Sequence, residues 1–116
     1  MPPRSRKGWK AKADKLWSKY ILTMDKKCRF CGKMPAKHPH HLISRRYHST
    51  RFLPSNGVGL CVADHFLAHQ NPIRFHEWML KNIGEIQLNE LNDLSQKVTK
   101  LDYEAICLYL TPKGVD

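Results

Sequence analysis

Between residues 25 and 61 the 116-residue chain shows no apolar repeat of helical or strand period. CRFCG, Pro35, Pro39, SRR, Pro54 and SNG are turn chemistry, and only residues 41–43 and 58–61 read as short extended pieces. A loop-rich stretch this long inside one small domain demands something to order it. A chain of this size buries only about two-thirds of its unfolded surface, so a metal staple is the economical solution. Four cysteines and seven histidines supply the means.

The flanks are helical. Trp9, Ala13, Leu16, Trp17, Tyr20 and Ile21 follow one helical stripe, with Lys10, Lys12, Lys15 and Lys19 on other faces, which predicts a basic amphipathic helix from Trp9. The stripe reads as core rather than as a base-stacking platform. Residues 1–8 have almost nothing to bury and read as a flexible basic tail. After residue 61, DHFLAHQ suits a short helix entered near Asp64, and Asn71-Pro72 suits a helix cap and first helical position. Gly84 suits a left-handed helix end, one or two further helices follow, and Pro112 stops the last. The expectation is a single α+β domain over 9–116, with a metal-ordered core at about 26–72 and C-terminal helices at 72–111.

The informative spacing is His40-His41, Asn56, His65 and His69, or HH-x14-N-x8-H-x3-H. His65 and His69, four apart, point the same way on a helix, as two imidazoles must to grip one ion. Adjacent residues of a strand face opposite sides, so His40 and His41 must differ in role, one turned to the metal and the other held beside it. Asn56, in a Pro-Ser-Asn-Gly turn, is placed to bond backbone groups across the loop between strand and helix. His38, His48 and His76 receive no catalytic role.

This constellation resembles the HNH or ββα-metal nucleases, most closely the colicin-type arrangement. Carried over by position, the resemblance implies that His41 is the general base, Asn56 the residue that fixes the loop, and His40, His65 and His69 the metal ligands. Many relatives have Asp where His40 stands. A second resemblance covers roughly residues 10–95: KADKLWSKYI, CRFCGK, HHLISRR, RFLPSN and LCVADH are similar to phage recombination nucleases of the lambda NinG type. It implies a phage or prophage context, with a recombination protein as a possible partner. Those relatives usually carry a Cys where Asp64 stands.

Cys28-x2-Cys31-Gly is a zinc-knuckle turn, and Cys61 and Asp64 repeat the x2 spacing, so these four form a candidate structural zinc site. His38, the distant Cys107, or no zinc at all are the alternatives. Cys107, among Ile106, Leu108 and Leu110, reads as a core thiol.

Charge is unevenly distributed. Residues 1–37 hold 12 basic and 2 acidic side chains, 38–81 hold 5 and 2, and 82–116 hold 3 and 6. A polyanion would meet the first two segments and be repelled by the last. Lys10, Lys12, Lys15 and Lys19 are expected to bind DNA phosphates without reading bases, and Arg45, Arg46 and Arg51 to fork onto phosphate from the loop between the two metal motifs. No run of about 18 apolar residues and no apolar stretch after the basic N-terminus occurs, which excludes a membrane span and a secretory signal and predicts a cytoplasmic protein.

The expected activity is metal-dependent hydrolysis of a DNA phosphodiester, most simply nicking, leaving 5′-phosphate and 3′-hydroxyl ends. An unperturbed imidazole base, with a pKa of about 6.5, predicts activity rising from acid to neutral pH. An all-imidazole set suits Mn, Ni, Co or Zn better than Mg, with Mn the expected cofactor beside one structural Zn. The alternatives are a zinc-dependent DNA-binding module without catalysis, in which the histidines hold a second structural zinc, and a recombination accessory factor acting through its acidic C-terminal helices.

Overall fold

A computed structural model describes residues 2–112; Met1 and residues 113–116, the outer ends of the expected tail and domain, lie outside the described residues. The first helix, α1 (Arg6–Met24), begins earlier than the apolar stripe alone predicts. The reason is local: Ser5 lies in extended backbone and its hydroxyl accepts the Gly8 N–H at 3.0 Å, which caps the helix. Arg6 then extends to the Leu101 carbonyl at 2.7 Å and lies over the Tyr103 ring, so residues 6–8 belong to the folded domain rather than to a tail.

Ala13, Trp17 and Ile21 form the buried stripe of α1, with Trp9, Leu16 and Tyr20 at its margins. They pack on Phe52 and on Tyr103, Cys107 and Leu110 of the last helix. The expected stripe is therefore core, and the first and last helices pack on each other.

A two-stranded antiparallel hairpin follows, β1 (His38–His41) with β2 (Gly57–Leu60), pairing His38 with Leu60 and His41 with Gly57. Both extended pieces lie earlier than expected. Leu42 and Ile43 fall beyond the strand because Asn56 ties them into the turn, and Cys61 leaves β2 to cap the next helix. Pro39, which reads as a turn residue, sits inside β1; a strand with a free edge tolerates its missing N–H. On β2 the Gly59 N–H donates to the Asp25 carboxylate at 2.9 Å and its carbonyl accepts the Arg29 N–H at 2.9 Å.

The loop between the strands carries a short helix, α2 (His48–Arg51), and a 3-10 turn at Pro54–Asn56. After β2 the chain passes directly into α3 (Val62–Gln70), which completes a ββα unit. Then come α4 (Pro72–Asn82), α5 (Glu85–Ser95) and α6 (Tyr103–Leu110). Asn71 caps α4 by accepting the Arg74 N–H at 3.2 Å, as its place before Pro72 predicts. Gly84 has φ 98° and ψ 147°, positive as expected but outside the left-handed helical basin, in a region open essentially to glycine alone. A second core, with Val58, Leu60, Phe75, Met79, Leu88 and Leu91 at its centre, joins the hairpin to the C-terminal helices. Among the described residues no helix is long and apolar enough to cross a membrane.

Gly57 is where α1 meets the hairpin. A Cβ there would stand 2.5 Å from Cζ2 of Trp17 and 2.7 Å from Cδ1 of Ile21, and Trp17 cannot withdraw because its indole N–H is bonded to the Leu53 carbonyl at 2.9 Å. Gly57→Ala is expected to destabilise by about 1–3 kcal/mol through overpacking. A lowered urea midpoint at unchanged slope is the measurement that checks it.

Candidate functional site

α3 presents His65 and His69 one turn apart, and their Nε2 atoms approach to 3.2 Å. β1 brings His40 to the same place, its ring 5.4 Å from that of His65 and 5.2 Å from that of His69. One ligand nitrogen from each of the three lies within 4.8 Å of the others, a group that could hold a metal ion. Burial, reinforced by the neighbouring imidazoles, pushes His40 down to about 4, and burial with His69 and His38 alongside lowers His65. These two rings therefore keep lone pairs free at neutral pH, the form in which imidazole binds a metal.

His41 has entirely different partners, as alternation along a strand demands. Its ring stacks flat on Trp17, centroids 3.9 Å apart and planes 9° from parallel, and its Nε2 lies 3.0 Å from the Arg51 carbonyl. A carbonyl only accepts, so Nε2 carries the hydrogen, and in the neutral ring Nδ1 is the basic lone pair. Nδ1 has no hydrogen-bond partner among the described residues. Burial is the main cause of a lowered His41 pKa; the carbonyl bond opposes it, while Arg45 and Arg51 add to it. His40, His41, His65, His69 and Arg45 share the lining of one cavity of about 680 Å³.

Asn56 is 0% exposed. Its Oδ1 accepts the Ile43 N–H at 2.8 Å, and its Nδ2 donates to the carbonyls of Ile43 at 3.1 Å and Thr50 at 3.0 Å. It thus bonds backbone across the inter-strand loop, as its position predicts. Asn56→Ala would leave one buried donor and two acceptors unpaired, at about 1–3 kcal/mol for each unpaired group. The expected result is a loss of several kcal/mol in urea unfolding, with faster hydrogen exchange at the Ile43 amide.

The second cluster forms where the cysteine spacing places it. Ligand atoms of Cys28, Cys31, Cys61 and Asp64 lie within 4.8 Å of one another and could hold a metal such as zinc. Both Cys28 Sγ and Cys61 Sγ stand 3.2 Å from Asp64 Oδ2. Gly32, at φ 70°, turns the knuckle back so that its N–H reaches the Cys28 carbonyl at 2.8 Å. Backbone N–H groups of Met34 and Lys33 lower the Cys31 thiol pKa, and burial raises that of Cys61 to about 11. Neither alternative ligand is present: His38 stacks on His65 at 4.9 Å, and Cys107 is buried between α1 and α6, donating to the Trp9 carbonyl. Asp64 and His65 are consecutive in α3, so the two clusters meet in the first turns of one helix.

The expected phosphate-binding residues have different surroundings. Arg45 borders the cavity, and Arg46 lies over the Tyr47 ring. Arg51 is a correction: it is only 8% exposed, and its fork closes on Asp14 at 2.9 and 2.8 Å, so that fork is already filled by a carboxylate. Among the α1 lysines, Lys10 lies near His48, while Lys12 sits over Trp9 beside Cys107, toward α6. Lys15 and Lys19 are exposed.

Three residues at the cavity escape sequence reasoning. Ser18 and Ser44 line it, and no spacing distinguishes them from ordinary surface serines. Trp17 reads as core and is core, yet it also lines the cavity and supports His41. Comparisons of the chain with protein-family models, with curated proteins and with solved structures find no match.

Proposed function

We propose that the protein is a divalent-metal-dependent endonuclease of the HNH type that hydrolyses DNA phosphodiester bonds, with a structural zinc in the Cys28, Cys31, Cys61 and Asp64 cluster. One observation carries this reading: of two consecutive histidines, His40 joins a three-imidazole cluster while His41 faces the same cavity with an unpartnered Nδ1. A purely structural zinc site has no use for that second, bonded and stacked imidazole. The resemblance to phage recombination nucleases adds DNA recombination or processing as the setting.

In this mechanism His41 Nδ1 takes a proton from water, and the hydroxide attacks phosphorus in line with the departing 3′ oxygen. The Nε2–H stays on the Arg51 carbonyl, which favours the imidazolium that forms. Arg45 binds a non-bridging phosphate oxygen at the cavity rim. Asn56 keeps the loop carrying Arg45 at fixed distance from β1. His40, His65 and His69 fit a borderline divalent ion, which when bound supplies positive charge for the phosphate and the developing 3′ oxyanion. Products carry 5′-phosphate and 3′-hydroxyl ends, and one such centre cuts one strand per engagement.

The test is supercoiled plasmid incubated with protein holding zinc in its cysteine cluster alone, without further metal and with Mg, Mn, Ni or more Zn added. Nicked circles that require metal, best with Mn, are the expected result, with DNA affinity falling steeply as salt rises. Intact plasmid under every metal, with DNA still retarded on a gel, overturns the nuclease and leaves a zinc-dependent DNA-binding module.

A further inference from the structure

Arg51 and Asp14 lie 37 residues apart, yet their bidentate pair joins α2 to α1 beside His41. The pair is partly buried, with side-chain exposures of 10% and 34%, and a third contact runs from the Arg51 guanidinium to the Arg45 carbonyl at 3.4 Å. The backbone carbonyl of that same Arg51 accepts the His41 Nε2–H. Whatever fixes Arg51 therefore fixes the atom that decides which nitrogen of His41 is protonated. From the other side α1 applies Trp17, whose indole is itself pinned by the Leu53 carbonyl at 2.9 Å and lies flat on the imidazole. An imidazole held against a flat face and bonded at one nitrogen can neither flip nor tilt.

We propose that Asp14 and Trp17, on the N-terminal helix outside the ββα unit, are positioning residues that lock His41 in its Nε2–H tautomer, Asp14 acting through Arg51 and Trp17 directly on the ring. The inference rests on the reading of His41 as the general base. It gives α1 a task besides phosphate binding: without the helix, the ring can rotate and present N–H where the attacking water needs a lone pair. A salt bridge that served stability alone could be removed without changing the His41 tautomer.

The experiment uses the full chain loaded with zinc and reads the His41 ring by long-range proton–nitrogen NMR correlation, independently of cleavage. Wild-type protein is expected to show one tautomer, protonated at Nε2. Asp14→Leu combined with Arg51→Met replaces the pair by apolar side chains, an exchange that commonly preserves stability because no charge is left unpaired. In that variant the two tautomers should mix, and the plasmid-nicking kcat should fall about 10–100-fold with KM for DNA unchanged, as for other residues that orient a working histidine. Asp14→Glu keeps the forked carboxylate and should retain the wild-type spectrum and rate. If the double variant loses its thermal transition, Asp14→Asn, which keeps shape and removes charge, provides the same reading.

The Asp14→Leu, Arg51→Met variant, or Asp14→Asn in its place, retaining its fold and holding the wild-type tautomer overturns the inference, whether or not wild-type protein cuts DNA. Tautomers released by the variants in a protein that never cuts uphold the lock and overturn the nuclease reading instead.

Discussion

His41→Ala is expected to abolish metal-dependent nicking of supercoiled plasmid while leaving DNA retardation on a gel unchanged. Removing a general base costs about 10²–10⁴-fold. The larger end is expected here, because Nδ1 of His41 is the unpartnered base at the cavity, while His40, His65 and His69 are grouped as a set that could hold a metal ion. The fold should survive, since the ring contributes one bond to a carbonyl and one stacking contact at a half-buried position. The substitution does leave Trp17 with an open face, so a modest drop in thermal midpoint is expected. Cutting retained within about threefold, with the same products, would remove His41 from the chemistry and with it the proposed mechanism.

The second large effect is expected from the cysteine cluster. Removing zinc with a strong chelator, or replacing Cys28 by alanine, should abolish cooperative folding of the segment from Asp25 to α3 rather than merely lower a midpoint. Structural zinc in small domains is worth about 10–16 kcal/mol in apparent binding free energy. That equals or exceeds the total stability of about 5–15 kcal/mol expected for such a domain. Cys28 is 1% exposed, and the cluster holds the knuckle turn against the start of α3. Because Asp64 precedes His65, the imidazole cluster should disperse in the same step, so catalytic-metal affinity and folding are lost together. Circular dichroism during chelator titration checks this; a gradual loss of activity with an intact thermal transition would show the two clusters to be independent.

The parts of the site that come from short, stereotyped spacings were legible in the chain. The x2 pairs of Cys28-Cys31 and Cys61-Asp64 and the i,i+4 pair of His65 and His69 are local geometry, which sequence carries directly. The different partners of His40 and His41 follow from strand alternation, whereas their sharing of one cavity does not. Asn56 was legible as a loop tie because a polar side chain in a Pro-Ser-Asn-Gly turn is placed to bond backbone groups across the loop. What could not be read depends on tertiary contact between distant segments. Nothing in the spacing of Asp14 and Arg51 marks them as partners, so Arg51 read as a free phosphate ligand like its neighbours. The start of α1 was displaced for a similar reason: Arg6 is held by Leu101 and Tyr103, at the far end of the chain. The hairpin's limits moved because the residues that flank β2, Asn56 and Cys61, are engaged by side-chain bonds that a propensity pattern does not register.

The smallness of the sheet has a consequence for behaviour in concentrated solution. A two-stranded hairpin has a free edge on both sides, and each is a template on which another chain can add a strand. On β2 the midpoint of that edge is already taken, since Gly59 gives its N–H to Asp25 and its carbonyl to Arg29. On β1 the residue opposite, Pro39, has no N–H to give. Neither edge offers an incoming strand an unbroken ladder, and the hairpin that carries the histidines is thereby protected from propagating into fibres.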